Sequence, residues 1–79
     1  MQYTLGELFI EAATTAMLNR VEGIGQAELR TVRRSVKTGG IPHGDWHAFL
    51  RFEEEVQQIK SRIPAECWEI AQRKLETAQ

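Results

Sequence analysis

Cysteine occurs once in these 79 residues, at Cys67, so no disulfide can close within the chain and no secreted-type cysteine framework exists. A lone thiol suits a reducing cytoplasm. Proline occurs only at Pro42 and Pro64, and glycine six times, which excludes a collagen-like or low-complexity chain. Long apolar runs are missing too. Glu7 and Glu11 interrupt the most apolar stretch, Leu5 to Leu18, so nothing reaches the roughly 20 residues a spanning helix needs. The opening stretch from Met1 to Glu7 lacks the basic region of a signal peptide. The expectation is a cytoplasmic protein with no membrane segment. No strong excess of either charge exists: net charge is −1. The pI of about 6.1 sits well below the value above roughly 9 that marks many dedicated nucleic-acid domains. No segment alternates with period two, so no strand is expected.

What is present is 42% hydrophobic residues at helical spacings, in a length that suits a single helical domain over 1–79. Thr4 with Glu7 has the capping-box spacing and opens helix 1, about 5–22, with Gly23 as its left-handed stop. Leu5, Leu8, Phe9, Ala12 and Ala16 share one face, and Ile10, Ala13, Met17 and Val21 flank it. So wide an apolar arc belongs to a central helix packed on two sides, and its alanines permit close approach. Gly23-Ile24-Gly25 reads as a short turn. Helix 2, about 26–37, has Leu29, Val32 and Val36 as its core stripe, and Gly39-Gly40 with Pro42 beyond ends it. Asp45 would cap helix 3, about 46–62, whose seam is Phe49, Phe52, Val56, Ile59 and Ile63. Two heptads are too short for a free coiled coil, so this is a bundle face. Pro64 reads as part of the first turn of helix 4, about 65–76, with Cys67, Trp68, Ala71 and Leu75 on one face. The fold class expected is all-α, a compact bundle of four helices with helix 1 central.

Catalytic constellations are absent from this pattern. His43 and His47 flank Asp45, but Gly44 and the cap at Asp45 set His43 outside the helix. A structural zinc site wants four ligands. The pair reads as a cap with two surface imidazoles, and no metal or cofactor is expected. Cys67 stands between Glu66 and Glu69, which would disfavour a thiolate, and reads as a small core residue. Glu53-Glu54-Glu55 point about 100° apart in turn, so they form a solvated face rather than a facing acid/base pair. No Ser-His-Asp arrangement or phosphate loop occurs. The expectation is a protein that binds and does not catalyse.

The feature that stands out is basic. Arg30, Arg33, Arg34 and Lys37 recur at i, i+3, i+4 and i+7, along one side of helix 2 and beside its apolar stripe. Like charges so spaced repel by a few tenths of a kcal/mol per pair. Glu53 to Glu55 could neutralise them within the chain, in which case the stripe is an ordinary charged face. If it binds, the partner is an acidic protein surface or a phosphate backbone. Trp46, at a helix start beside the Gly39-to-Gly44 loop, could anchor a partner together with Ile41 and Leu50, because interface hot spots favour Trp and Arg. The alternative is that Trp46 folds over helix 1 as core.

The stretch Thr31-Val32-Arg33-Arg34-Ser35-Val36-Lys37-Thr38-Gly39-Gly40-Ile41-Pro42 resembles the end of the recognition helix in excisionase-type, MerR-related DNA-binding domains. Tyr3-Thr4-Leu5 and Asp45-Trp46-His47-Ala48-Phe49-Leu50 resemble their opening and closing stretches. The resemblance implies that Arg33, Arg34 and Lys37 face DNA. The chain departs from that pattern in having no β-hairpin wing after Pro42, a longer segment between Thr4 and Thr31, and an acidic balance. Ile63-Pro64 followed by Trp68 is also similar to the close of small helical Hha-type modulators, which bind a nucleoid protein.

Together these observations favour a small regulatory, adaptor or inhibitor protein that binds another protein through Arg30, Arg33, Arg34, Lys37, Ile41, Trp46 and Leu50. Phage and plasmid genomes encode many helical chains of this size, inhibitors of host defence among them; that is analogy of size alone. The alternative is a DNA-binding transcriptional regulator or excisionase-like protein using helix 2. Assembly as a homodimer stays open.

Overall fold

The computed structural model describes residues 3–38 and 46–78, apart from the side chains of Thr38, Trp46 and Phe49. Within that range the chain forms α1 (Leu5–Leu18), α2 (Gln26–Thr38), α3 (Trp46–Arg62) and α4 (Ala65–Thr77), and no strand. Thr4 opens α1 in extended backbone, and its Oγ1 accepts a hydrogen bond from the Glu7 N–H at 3.1 Å. This is the hydroxyl half of the expected capping box.

Helix 1 stops earlier than its apolar pattern implies, at Leu18 rather than near Glu22. The Val21 N–H donates to the Ala16 carbonyl at 2.9 Å and the Arg20 N–H to the Met17 carbonyl at 3.0 Å. Those two bonds are a Schellman closure, and its left-handed residue is Arg20, at φ 58°, instead of Gly23. Gly23 is also left-handed, at φ 84°, but its turn lies further on, where the Arg62 guanidinium donates to its carbonyl at 3.4 Å. The intervening segment is therefore a longer loop than the expected turn. Ile24 from this loop is 5% exposed and belongs to the core. Gly25 then serves as the N-cap of α2, its N–H donating to Glu28 Oε1 at 2.8 Å.

The core is built from small side chains. Ala12, Ala13 and Ala16 of α1 and Ala71 of α4 are wholly buried, and Cys67 nearly so. Ile59 and Val32 are the largest fully buried side chains. With methyl groups at the contact, α1 packs against both α2 and α4, and α2 packs against α3. Helix 1 is thus central, as its wide apolar arc implies. At its start Gly6 brings α1 so close to α2 that a Cβ there would stand 2.7 Å from Val36 Cγ1. Leu29 and Val32 are buried and Val36 half-buried, which confirms the stripe of α2.

The seam of α3 is graded. Ile59 and Ile63 are buried, while Phe52 and Val56 are half-buried. Pro64 is the N-cap of α4 rather than part of its first turn, with its carbonyl accepting from the Cys67 N–H at 2.9 Å. The Phe9 and Trp68 rings stack at 5.7 Å and 23°, a pairing worth about 0.5–1.5 kcal/mol beyond its area. Polar ties on the outside of α4 complete the join. Lys74 Nζ lies 3.2 Å from Glu11 Oε2, and Tyr3 Oη donates to Glu76 Oε1 at 3.4 Å. Partial burial, and then the Glu76 carboxylate, push the Tyr3 phenol above its ordinary pKa, so it stays protonated as the donor. The Asp45 cap and the Gly39-Gly40 and Pro42 stop lie outside the described residues.

Two substitutions test this packing. Gly6→Ala gains about 1 kcal/mol of helix propensity but meets a valine that is stiff at χ1, and overpacking costs about 1–3 kcal/mol. We expect net destabilisation in urea unfolding, turning to neutrality or a gain in a Val36→Ala background. Stabilisation by Gly6→Ala in the parent chain would mean that α1 and α2 stand further apart. At position 20, a left-handed L-residue costs about 1–2 kcal/mol, partly offset in a glycine variant by its freer unfolded chain. Arg20→Gly should therefore raise Tm, by about 4–8 °C per kcal/mol, and Arg20→Val should lower it. Melting temperatures in any other order would place the left-handed residue elsewhere.

Candidate functional site

Helix α2 separates apolar from charged residues more sharply than the other three helices. Leu29 and Val32 hold its inner face, which fixes the residues about 100° further round as its outer face. Arg30, Arg33, Arg34 and Lys37 are all exposed there. The rise of about 1.5 Å per residue spreads them over roughly 10 Å. Lys37 lies in the last turn, where the helix dipole favours a cation, and Glu28 lies in the first, where it favours an anion.

Neutralisation by Glu53 to Glu55 does not occur for three of these cations. Those carboxylates are exposed on α3, yet none lies within ion-pair distance of Arg30, Arg33 or Lys37. Among the described residues these three cations have no ion-pair partner. Arg34 is exposed beside them and is engaged in a contact of its own.

The apolar flank is described only in part. Leu50 is 44% exposed on α3, one turn beyond Trp46 and hence on the same side of that helix. Trp46 opens α3, but its side chain, like all of Ile41, lies outside the described residues. Since α2 packs against α3, the stripe and Leu50 belong to one pair of helices.

Of the groups weighed for chemistry, Cys67 is buried in the core at 3% exposure, and His47 is exposed. His43 and Asp45 lie outside the described residues. Among the described residues, no group of three or more His, Cys, Asp or Glu side chains gathers at one point. No described helix is long and apolar enough to cross a membrane.

A second surface feature escaped sequence reasoning. An open cleft of about 470 Å³ lies where the start of α1, the end of α2, α3 and α4 diverge, lined among others by Leu5, Gly6, Phe9, Val36, Lys60 and Trp68. Helical periodicity shows each of these residues only on its own helix. Their convergence is a tertiary fact, and the one available signal was Leu5, an apolar residue at the very start of an amphipathic helix.

Alanine at Arg30, Arg33 or Lys37, made singly, should leave helicity by circular dichroism intact and shift stability by no more than about 0.5 kcal/mol. Loss of the cooperative transition would show that these side chains hold the fold rather than face outward.

Comparison with known proteins finds no matching family model, no matching curated protein and no matching solved structure. The resemblances to excisionase-type domains and to Hha-type modulators therefore gain no support from a match. Helix α3 begins at Trp46, which leaves too little chain after Pro42 for a two-stranded wing.

Proposed function

We infer that the chain acts without catalysis, as a small regulatory, adaptor or inhibitor protein that binds an acidic surface of a protein partner through the outer face of α2. The start of α3, at Trp46 and Leu50, and the preceding segment with Ile41 would form the flank. The observation that carries this reading is the set of exposed cations Arg30, Arg33 and Lys37 without ion-pair partners among the described residues. An opposite charge brought by a partner would relieve their mutual repulsion, and arginine is well suited to bidentate carboxylate recognition.

A DNA-binding reading rests on the same spacing, because phosphates also suit a row of cations on one helix. The net charge of −1 and the short chain between Pro42 and α3 rank it second.

The test uses immobilised chain to capture partners from the native host, with mass spectrometry and nucleic-acid staining of what is retained. Purified chain is titrated in parallel with duplex DNA. We expect a retained protein whose binding falls about 30-fold or more, the weight of a 2 kcal/mol hot spot, on alanine substitution at one or two of Arg30, Arg33, Arg34 or Trp46. Duplex binding should be undetectable at physiological salt. Micromolar or tighter duplex binding that weakens steeply with salt and vanishes in the stripe variants would reverse the order of the two readings.

A further inference from the structure

The cleft at the start of α1 has a composition that the outer face of α2 does not share. Its floor is the Phe9–Trp68 stack, with Val36 half-buried beside it. The missing side chain at Gly6, which also lines the cleft, lets α1 settle against Val36. Leu5, on its rim, is 78% exposed. Leaving a leucine in water forgoes a large apolar gain that a partner's contact could recover.

Among the described residues that line this cleft, one is charged. Lys60 lines the cleft, and no carboxylate does among the described residues. Glu7, the acid in the first turn of α1, lies on the opposite side of that helix from Leu5 and Phe9, because a displacement of two residues turns the helix about 200°. The first turn of α1 adds the partial positive charge of its N–H groups.

An apolar floor with a lysine at its edge suits an apolar occupant that carries negative charge. The cleft is an open trough, whereas a small-molecule pocket would bury most of its ligand. We propose that it docks an amphipathic helical segment of a protein partner, whose apolar face enters the cleft and whose acidic flank meets Lys60. This rests on the reading that the chain works by binding a protein, but it places a second contact away from the outer face of α2.

The test uses the full chain labelled with ¹⁵N and two synthetic helical peptides with the same leucine and phenylalanine face. One carries glutamates on its flank and the other lysines. Sodium decanoate serves as a small anionic amphiphile for comparison. The acidic peptide should shift the Trp68 indole N–H and the Leu5, Val36 and Lys60 amides, and should bind about tenfold tighter than the basic one. Lys60→Glu should reverse that preference, and Leu5→Ala should weaken the acidic peptide about tenfold. Both residues are exposed, and unchanged melting would confirm intact folds.

Equal binding of the two peptides, no binding, or decanoate shifting these resonances when neither peptide does would each overturn the proposal. Arg30→Ala with Arg33→Ala separates the surfaces. Acidic-peptide binding within about twofold of the parent chain supports the cleft. Shifts that map to α2 instead, and vanish in that variant, sink the cleft while leaving the reading of the basic face standing.

Discussion

The contact on which the rest of the molecule depends is the alanine face of α1 against α2 and α4. A methyl group is the largest side chain that Ala12, Ala13 and Ala16 place at that contact, and all three are wholly buried. The side chains at a helix contact set the interaxial distance. Alanines therefore let the flanking helices draw in until backbone and side chain touch, as Gly6 and Val36 do. Such a core has few long side chains with which to absorb an added methyl, so enlargement there should be felt more than the loss of a surface charge.

A core of small residues has a consequence at the surface. The larger apolar groups Leu8, Phe9, Ile10, Met17, Val21, Val36 and Trp68 pack around the alanines as a half-buried ring. Where α1 begins, that ring is not closed, and the cleft is the gap. Charge is likewise kept outside, since among the described residues no buried polar or charged side chain joins the core.

Local signals carried most of this fold. Thr4 with Glu7, the apolar spacing of α2, the start of α4 beside Pro64 and the breadth of the apolar face of α1 each act within a few residues, so the sequence shows them directly. The misses came where two local solutions compete. Gly23 is the better left-handed residue by conformational energy, yet α1 closes at Arg20. Val21 can then pack on the core and the later turn can bury Ile24, and that burial is a tertiary gain. Periodicity counted Val21 as one more helical position because it packs on the same side. The basic stripe was legible from spacing alone, while its lack of ion pairs at Arg30, Arg33 and Lys37 was not. Glu53 to Glu55 could have met them from the neighbouring helix, and only the placement of α3 decides that they do not.

The position of those glutamates also bears on the choice of partner. Four of the ten basic residues lie on α2, and the acidic run of α3 sits on a helix packed against it. Salt screens exposed charges beyond about 8 Å under physiological conditions, so a partner touching only the outer face of α2 feels the cations more than the net charge. A duplex differs in extent, because its phosphates continue along the groove on both sides of an inserted helix. A contact that spread from α2 onto the exposed Glu53 to Glu55 of α3 would set like charges against that array. A local acidic patch on a protein, of the roughly 800 Å² that one side of a standard interface covers, can end before it reaches them. On the proposed reading, that difference in extent would favour a bounded acidic surface over a duplex as the partner of α2.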